Sequence, residues 1–247
     1  MKKIIPCLDM KNGNVVKGVH FETLQKVGDP IELALQYEKQ GADELVFLDI
    51  SATLENRKTT LDVIGKAAKQ LQVPFTVGGG IATLEDMEKI FQIGASKVSM
   101  NSAAFMHPEV IEQASQKYGK EKIVIAIDVK SKANGWTVVT HGGKNDTGVD
   151  VIDWATRCEQ LGAGELLVTS MDTDGVKNGY DIALYKALKE AVEIPVIASG
   201  GCGSLEDFYE VFEKADVDAA LAASLFHYGI VTVPQVKDFV RSKGIEI

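Results

Sequence analysis

GADELVFLDI (residues 41–50) and GAGELLVTSM (residues 162–171) share one pattern of small, acidic and apolar residues, at an offset of 121 positions. A second pair of segments, GGGIATLED (78–86) and SGGCGSLED (199–207), repeats at the same offset. Self-similarity that keeps a fixed spacing along the chain is the signature of a repeated structural unit. The two pairs therefore indicate that the second half of this chain is built like the first.

A third pair of segments, CLDM (7–10) and AIDV (126–129), matches at an offset of 119 and extends the repeat towards the start of each half. No low-complexity or linker segment separates the halves. We therefore expect one domain over residues 1–247, composed of half-repeats of approximately 1–121 and 122–247.

Each half alternates between short apolar runs and longer amphipathic segments. Apolar runs bounded by Gly, Pro or Asp are typical of buried parallel strands, and the segments between them carry helical periodicity. Thr83 and Ser204 are predicted to begin two of these helices as N-caps. The eight predicted strands cover 3–9, 44–50, 74–79, 97–100, 122–128, 165–170, 195–201 and 219–224.

Eight strand–helix units in 247 residues fit the usual length of a βαβ unit. An open doubly wound sheet also alternates strand and helix, but a twofold repeat of four units closes naturally into a barrel. The sequence therefore predicts a (β/α)8 TIM barrel with a twofold half-barrel repeat. In that fold the functional residues lie at the carboxyl ends of the strands.

The composition excludes several classes of function. Thirty-five acidic residues against 26 basic ones give a net charge of −9, which argues against nucleic acids and anionic membranes as partners. The three cysteines have no metal-ligand spacing, and no apolar stretch approaches the ~18 residues of a membrane span. We expect a soluble, cytoplasmic protein with no metal and no cofactor.

Two aspartates occupy equivalent places in the repeat. Asp9 and Asp128 end the first and fifth predicted strands, which stand on opposite sides of an eight-stranded barrel, and each interrupts an apolar run. Partial burial raises the pKa of a carboxyl group towards values useful for proton transfer. The pair is therefore predicted to act as general acid and general base; a loop cap or a pairing with a lysine such as Lys17 is the structural alternative.

Two glycine-rich turns form the other repeated feature. Gly78–Gly80 and Ser199–Gly201 end the third and seventh strands, and small polar residues end the strands that follow. Glycine lets backbone N–H groups approach a phosphate closely, although the same glycines could simply make tight turns. Two such turns facing each other across the barrel predict a substrate with a phosphate at each end.

Nine motifs are spread over the whole chain. They are IIPCLDMKNGNVVKG (4–18), DELVFLDISA (43–52), FTVGGGI (75–81), KVSMNSAA (97–104), IVIAIDVK (123–130), THGGK (140–144), GAGELLVTSMDTDG (162–175), IPVIASGG (194–201) and AALAASLFH (219–227). Together they resemble, from end to end, the cyclase subunits of imidazole glycerol phosphate synthase. The resemblance implies a (β/α)8 lyase of histidine biosynthesis that uses ammonia to convert a bisphosphorylated ribulosyl formimino carboxamide ribotide. The products are imidazole glycerol phosphate and aminoimidazole carboxamide ribotide.

The resemblance also implies roles for individual residues. Asp9 and Asp128 correspond to the catalytic acid and base, and Lys17 to a substrate-contacting lysine. The remaining substrate and phosphate positions are Asp49, Gly80, Asn101, Ser102, Thr169, Asp174, Gly201, Ala223 and Ser224.

At the other end of the barrel, the resemblance implies a charged ring through which ammonia enters and a glutaminase subunit that supplies it, forming a heterodimer at the N-terminal face. The ring residues are Lys3, Glu44, Lys97 and Glu165. Judged from the residues alone, Lys and Glu at strand starts are typical of a solvated salt-bridge ring.

This sequence departs from the family pattern at two positions. Ser96 stands where an Asp is usual beside the ring lysine, on the surface predicted to dock the glutaminase, and Thr173 replaces a common Arg. Three other functions stay open: the sugar isomerase of the same pathway, a scaffold for a glutaminase, and a paralogue that serves another amidotransfer pathway.

Overall fold

The computed structural model describes residues 1–19, 22–50 and 61–247, and for residues 17–19 and 22–25 it describes the backbone only. Eight parallel strands close into a barrel, which confirms the predicted (β/α)8 architecture. In order around the barrel they are β1 (Lys3–Lys11), β4 (Leu45–Asp49), β5 (Phe75–Gly78), β6 (Lys97–Met100), β7 (Ile123–Lys132), β10 (Glu165–Ser170), β11 (Val196–Ser199) and β12 (Ala219–Ala222). Pairing of β12 with β1 completes the ring.

Helices alternate with the barrel strands along the chain. They are α1 (Pro30–Lys39), α2 (Leu61–Ala68), α3 (Leu84–Gln92), α4 (Ser102–Met106), α5 (Glu109–Tyr118), α6 (Val151–Gln160), α7 (Ile182–Ala191), α8 (Leu205–Ala215), α9 (Ser224–His227) and α10 (Val233–Ser242). None of the helices in the described ranges is both long enough and apolar enough to cross a lipid bilayer.

The helix starts predicted at Thr83 and Ser204 are confirmed, and both carry the same local interaction. Each side-chain hydroxyl accepts a hydrogen bond from the backbone N–H three residues later, at Asp86 or Asp207, and the aspartate accepts one from the backbone of the cap. This reciprocal capping satisfies two N–H groups that the helix itself leaves unbonded. Thr83 begins α3 and Ser204 begins α8, each directly after one of the two glycine-rich turns. The two caps therefore fix the residues at which the turns end.

Two antiparallel ribbons extend the barrel at equivalent places in the repeat. Strands β2 (Asn14–Val19) and β3 (Glu22–Gly28) continue from β1, whereas β8 (Gly135–Thr140) and β9 (Asn145–Asp150) continue from β7. The duplication therefore includes the ribbons as well as the barrel strands. In the second ribbon, the indole Nε1 of Trp136 donates a hydrogen bond to the Asp181 carboxylate at 2.8 Å, and so ties the ribbon to the N-terminus of α7.

Apolar side chains form two separate layers. The larger layer lies between the strands and the helices, and the smaller one fills the inside of the barrel, where side chains alternate with those facing outwards. The inner layer is formed by Ile5, Cys7, Val46, Val124, Leu167, Ile197, Ala219, Leu221 and Ala223, with Leu48 packed against it.

Tyr185 links two barrel strands from outside, directly below the second glycine-rich turn. Its buried hydroxyl lies 2.9 Å from the carbonyl oxygen of Val168 and 2.6 Å from that of Ser199, and it accepts a hydrogen bond from the Ser199 N–H at 3.0 Å. A helix side chain thereby holds the carboxyl ends of β10 and β11 in register.

We predict that Tyr185→Phe lowers the free energy of unfolding by about 1–2 kcal/mol, because buried backbone groups lose a partner that the phenyl ring cannot replace. Urea denaturation followed by circular dichroism measures the change. Tyr228→Phe, at a side chain that is 52% exposed, is the matched control and should leave stability unchanged. Equal midpoints for wild type and Tyr185→Phe would contradict the assigned role of the hydroxyl.

Candidate active site at the carboxyl ends of the strands

One cavity of about 770 Å³ opens at the carboxyl end of the barrel and reaches down to the inner apolar layer. All parallel strands end at this rim, so residues that are distant in sequence meet here. The cavity is lined by every predicted acid–base, substrate and phosphate residue whose side chain the structure describes. These residues are Asp9, Asp49, Gly80, Asn101, Ser102, Asp128, Thr169, Asp174, Gly201, Ala223 and Ser224. The side chain of Lys17 falls outside the described part of the chain.

The two predicted acid–base residues stand across the cavity from each other. Asp9 lies on β1 and Asp128 on β7, which are separated by three strands on either side of the barrel. Asp9 is buried, and the Cys7 thiol donates a hydrogen bond to its Oδ1 at 3.4 Å. A molecule that fills the cavity therefore has a carboxyl group on each of two opposite faces.

The environment of Asp128 raises the pKa of its carboxyl group towards neutral pH. Burial raises the pKa of this carboxyl group to about 6, the Asn101 side chain opposes the shift, and the charge of Asp174 adds to it. Asn101 Nδ2 donates to Asp128 Oδ2 at 2.9 Å. A group with a pKa near the working pH can both donate and accept a proton.

The backbone of the first glycine-rich turn packs closely against the backbone at the end of β4. Gly79 and Gly80 both have positive φ angles, of 100° and 68°. A Cβ atom on Gly79 would lie 2.3 Å from the carbonyl oxygen of Asp49, so only glycine fits there. Gly79 is therefore required by the fold, while Gly80 faces the cavity beside Asn101 and Ser102.

The second turn has the same form and also packs against neighbouring backbone. Gly200 and Gly201 have φ angles of 91° and 99°, and a Cβ atom on Gly201 would lie 2.1 Å from the carbonyl oxygen of Gly179. Thr173 Oγ1 lies 3.2 Å from the carbonyl oxygen of Gly200 and joins the turn to the loop after β10. Thr173, one of the two departures from the family pattern, thus has a structural contact of its own.

The two predicted phosphate sites differ in the position of their serine within the repeat. At the offset of 121 residues, Ser102 is equivalent to Ala223, and Ser224 is equivalent to Ala103. Both serines nevertheless occupy the first position of a short helix that follows the next barrel strand, α4 after β6 and α9 after β12. The two predicted phosphate sites therefore carry their hydroxyl groups one residue apart in the repeat.

The four residues of the predicted ring meet at the opposite, N-terminal end of the barrel. Lys97 Nζ lies 2.9 Å from Oε2 of both Glu44 and Glu165, and Lys3 Nζ lies 3.7 Å from Glu44 Oε2. Glu44 Oε1 also accepts a hydrogen bond from Thr76 Oγ1 at 2.8 Å. One lysine thus bridges two buried carboxylates from different halves of the chain.

Burial and neighbouring charges shift the pKa values of the ring residues in opposite directions. Burial lowers the pKa of Lys97, but the charges of Glu165 and Glu44 outweigh burial and raise it. Burial raises the pKa of Glu165, while Lys97 lowers it in part. Lys97 therefore stays protonated, and removal of its charge would leave two carboxylates buried side by side.

Sequence reasoning missed the basic side of the cavity. Lys130, His141 and Lys144 line it, although none was predicted as a site residue. The available signal was the position of Lys130 two residues after Asp128, on the same face of the strand. Among the described residues, no cluster of three or more His, Cys, Asp or Glu side chains is arranged to hold a metal ion.

Comparison with known proteins gives one consistent result. The family model described as "Histidine biosynthesis protein" matches residues 3–232. Imidazole glycerol phosphate synthase subunit HisF of Geobacillus kaustophilus is 55% identical over 248 aligned positions, which cover 100% of this chain and 98% of the relative. The subunits of the same name from Geobacillus thermodenitrificans and Anoxybacillus flavithermus are 54% and 55% identical, with the same coverage.

The raised pKa of Asp128 gives a stability prediction with a definite sign. The folded carboxyl group titrates at about 6 and the unfolded one at ~3.9, so the folded chain binds the proton more tightly. This contribution to stability is fully present below pH 4 and is lost as the pH rises to 6. Asp128→Asn stays neutral and still accepts from Asn101, so it should be more stable than wild type by about 2–3 kcal/mol at pH 8 and nearly equal at pH 4.

Urea denaturation of both proteins at pH 4 and pH 8 measures this difference. Asp216→Asn is the control, because pairing with Lys2 lowers the pKa of Asp216 and its replacement should bring no gain at pH 8. Equal stability of wild type and Asp128→Asn at pH 8 would show that the ionised Asp128 carboxylate does not destabilise the folded chain.

Proposed function

The chain belongs to the histidine biosynthesis protein family, and on that premise we propose that it is the cyclase subunit of an imidazole glycerol phosphate synthase. The proposed reaction consumes ammonia and a bisphosphorylated ribulosyl formimino carboxamide ribotide. It yields imidazole glycerol phosphate and aminoimidazole carboxamide ribotide. The observation that carries the proposal is the single cavity that unites two opposed aspartates with two glycine-rich turns.

Proton transfer is the chemical task that this cavity suits. Ammonia loses protons when it forms C–N bonds during ring closure, and the oxygen and nitrogen atoms that leave must gain protons. Asp128, with a pKa of about 6, can exchange a proton near neutral pH. Asp9 offers a second carboxyl group on the opposite wall, so two proton transfers can act on different faces of one substrate.

The two turns suit the two ends of the substrate. Backbone N–H groups near Gly80 and Gly201, together with the hydroxyl groups of Ser102 and Ser224, are donors of the kind that bind phosphate oxygens. They belong to opposite halves of the barrel. A bisphosphate held at both turns would lie across the cavity, with its reacting centre between Asp9 and Asp128.

Ammonia is proposed to reach this centre through the barrel. The ring of Lys3, Glu44, Lys97 and Glu165 lies at the N-terminal end, and the inner apolar layer separates it from the cavity. An apolar passage suits neutral ammonia, which water would otherwise protonate and dilute. We propose that a glutaminase subunit covers this N-terminal face and delivers ammonia to the ring.

We predict that Asp9→Asn and Asp128→Asn each lower kcat by at least about 10²-fold, the usual contribution of general acid–base catalysis. The KM for the bisphosphate should change little, because the phosphate groups supply most of the binding. The assay uses the purified chain, the bisphosphate and an ammonium salt, without a glutaminase. Asp62→Asn, on the outer helix α2, is the control.

Product formation in this assay also separates the cyclase from an isomerase, which would need no ammonia, and from an inactive scaffold. Near-normal turnover in either aspartate variant would rule out the acid–base assignment. An active wild type that ignores ammonium would rule out the cyclase.

We predict that Lys97→Gln impairs turnover with glutamine, in the presence of the glutaminase, at least about tenfold more than turnover with ammonium salt. The lysine charge is needed to keep Glu44 and Glu165 in the ring, whereas the cavity at the other end does not contact them. Lys89→Gln, on the exposed face of α3, should change neither activity. Circular dichroism checks that Lys97→Gln is folded, and equal losses with both nitrogen sources would remove the ring from the ammonia route.

A further inference from the structure

Four carboxylates line the cavity that is proposed to hold a bisphosphate. They are the side chains of Asp9, Asp49, Asp128 and Asp174. Each phosphate monoester carries a charge of about −1.5 to −2 at pH 7. Backbone N–H groups and hydroxyl groups stabilise phosphate oxygens but carry no full positive charge, so cations at the cavity wall would offset more of the repulsion from these carboxylates.

The described wall carries its basic side chains in one sector. Among the lining residues that the structure describes, the lysines are Lys130 and Lys144, and His141 lies between them along the chain. Lys130 extends from β7, and the other two residues belong to the loop between β8 and β9. We call these three residues the cationic wall.

Hydrogen bonds hold the β8–β9 loop against the cavity. Lys130 Nζ donates to the carbonyl oxygen of Gly143 at 3.0 Å, and the His141 N–H donates to Ser102 Oγ at 3.1 Å. His141, Gly142 and Gly143 all have positive φ angles, of 56°, 65° and 80°, which is an unfavourable conformation for the histidine. The backbone strain is therefore maintained by contacts to two residues of the cavity.

Ser102 connects the cationic wall to the first glycine-rich turn. Its hydroxyl oxygen accepts from His141, so its hydrogen is directed away from that bond and can be donated to a ligand. Lys144 is exposed at the cavity rim on the same loop, so its ammonium group can approach a ligand bound at Ser102 without a large desolvation cost.

We propose that the cationic wall binds the phosphate group held at the turn of Gly80, Asn101 and Ser102, with Lys144 as its main charge and Lys130 as both a charge and a brace for the loop. This assignment rests on the proposed bisphosphate substrate. It makes the two phosphate sites unequal: the first combines hydrogen bonds with cationic side chains from the second ribbon.

Steady-state kinetics with the bisphosphate and ammonium salt test the assignment. Lys144→Gln should raise KM at least about tenfold, as expected for loss of one charge-assisted hydrogen bond, and leave kcat within about twofold. Lys144→Arg keeps the charge and should restore most of the affinity. Lys132→Gln is the matched control, because Lys132 extends from the same strand but pairs with Asp150 at 3.3 Å, outside the cavity.

A second measurement uses inorganic phosphate as the probe and does not depend on turnover. Calorimetric titration should show weaker phosphate binding to Lys144→Gln than to wild type and Lys132→Gln, and the difference should shrink at high salt. A KM for Lys144→Gln within twofold of wild type overturns the cationic wall. If wild type does not convert the bisphosphate, the proposed function fails, and the phosphate titration alone then tests the cationic wall. Equal phosphate affinities of wild type and Lys144→Gln in that titration overturn the cationic wall.

Discussion

Parallel closure of the barrel is the constraint on which the rest of this structure depends. Because all eight strands run in the same direction around a closed ring, their carboxyl ends meet at one rim and their amino ends at the other. The chain therefore has two chemically distinct ends. One collects aspartates, glycine-rich turns and the cationic wall, and the other collects the ring of alternating charges, with an apolar layer between them.

The duplication supplies both ends with pairs of residues, and the environment then makes the members of each pair different. Asp9 and Asp128 occupy equivalent strands, yet a thiol contacts the first and an amide the second. The two glycine-rich turns share their shape but not the register of their hydroxyl groups. A twofold repeat of the chain thus forms a cavity whose two sides differ chemically.

Much of this arrangement follows from the sequence. The barrel could be predicted from the repeat at an offset of 121 residues. The helix starts at Thr83 and Ser204 and the position of Asp128 could be predicted because each depends on residues close together in the chain. The part of Lys144 in the cationic wall could not be predicted, because Lys144 reaches the cavity only through the antiparallel ribbon that follows β7. The tight contact of Gly201 with Gly179 was also beyond prediction, because it joins two separate loops.

The charged ring at the N-terminal end does not share the symmetry of the barrel around it. Glu44 and Glu165 are equivalent in the repeat, but Lys97 is equivalent to Asp218, which pairs with Lys189 on α7 and accepts from the Val196 N–H. The equivalent of Lys3 is Lys122, whose ammonium group stacks over the Phe91 ring at 5.5 Å. Both ring lysines therefore come from the first half. The charges of the ring therefore distinguish two orientations, half a turn apart, about the barrel axis.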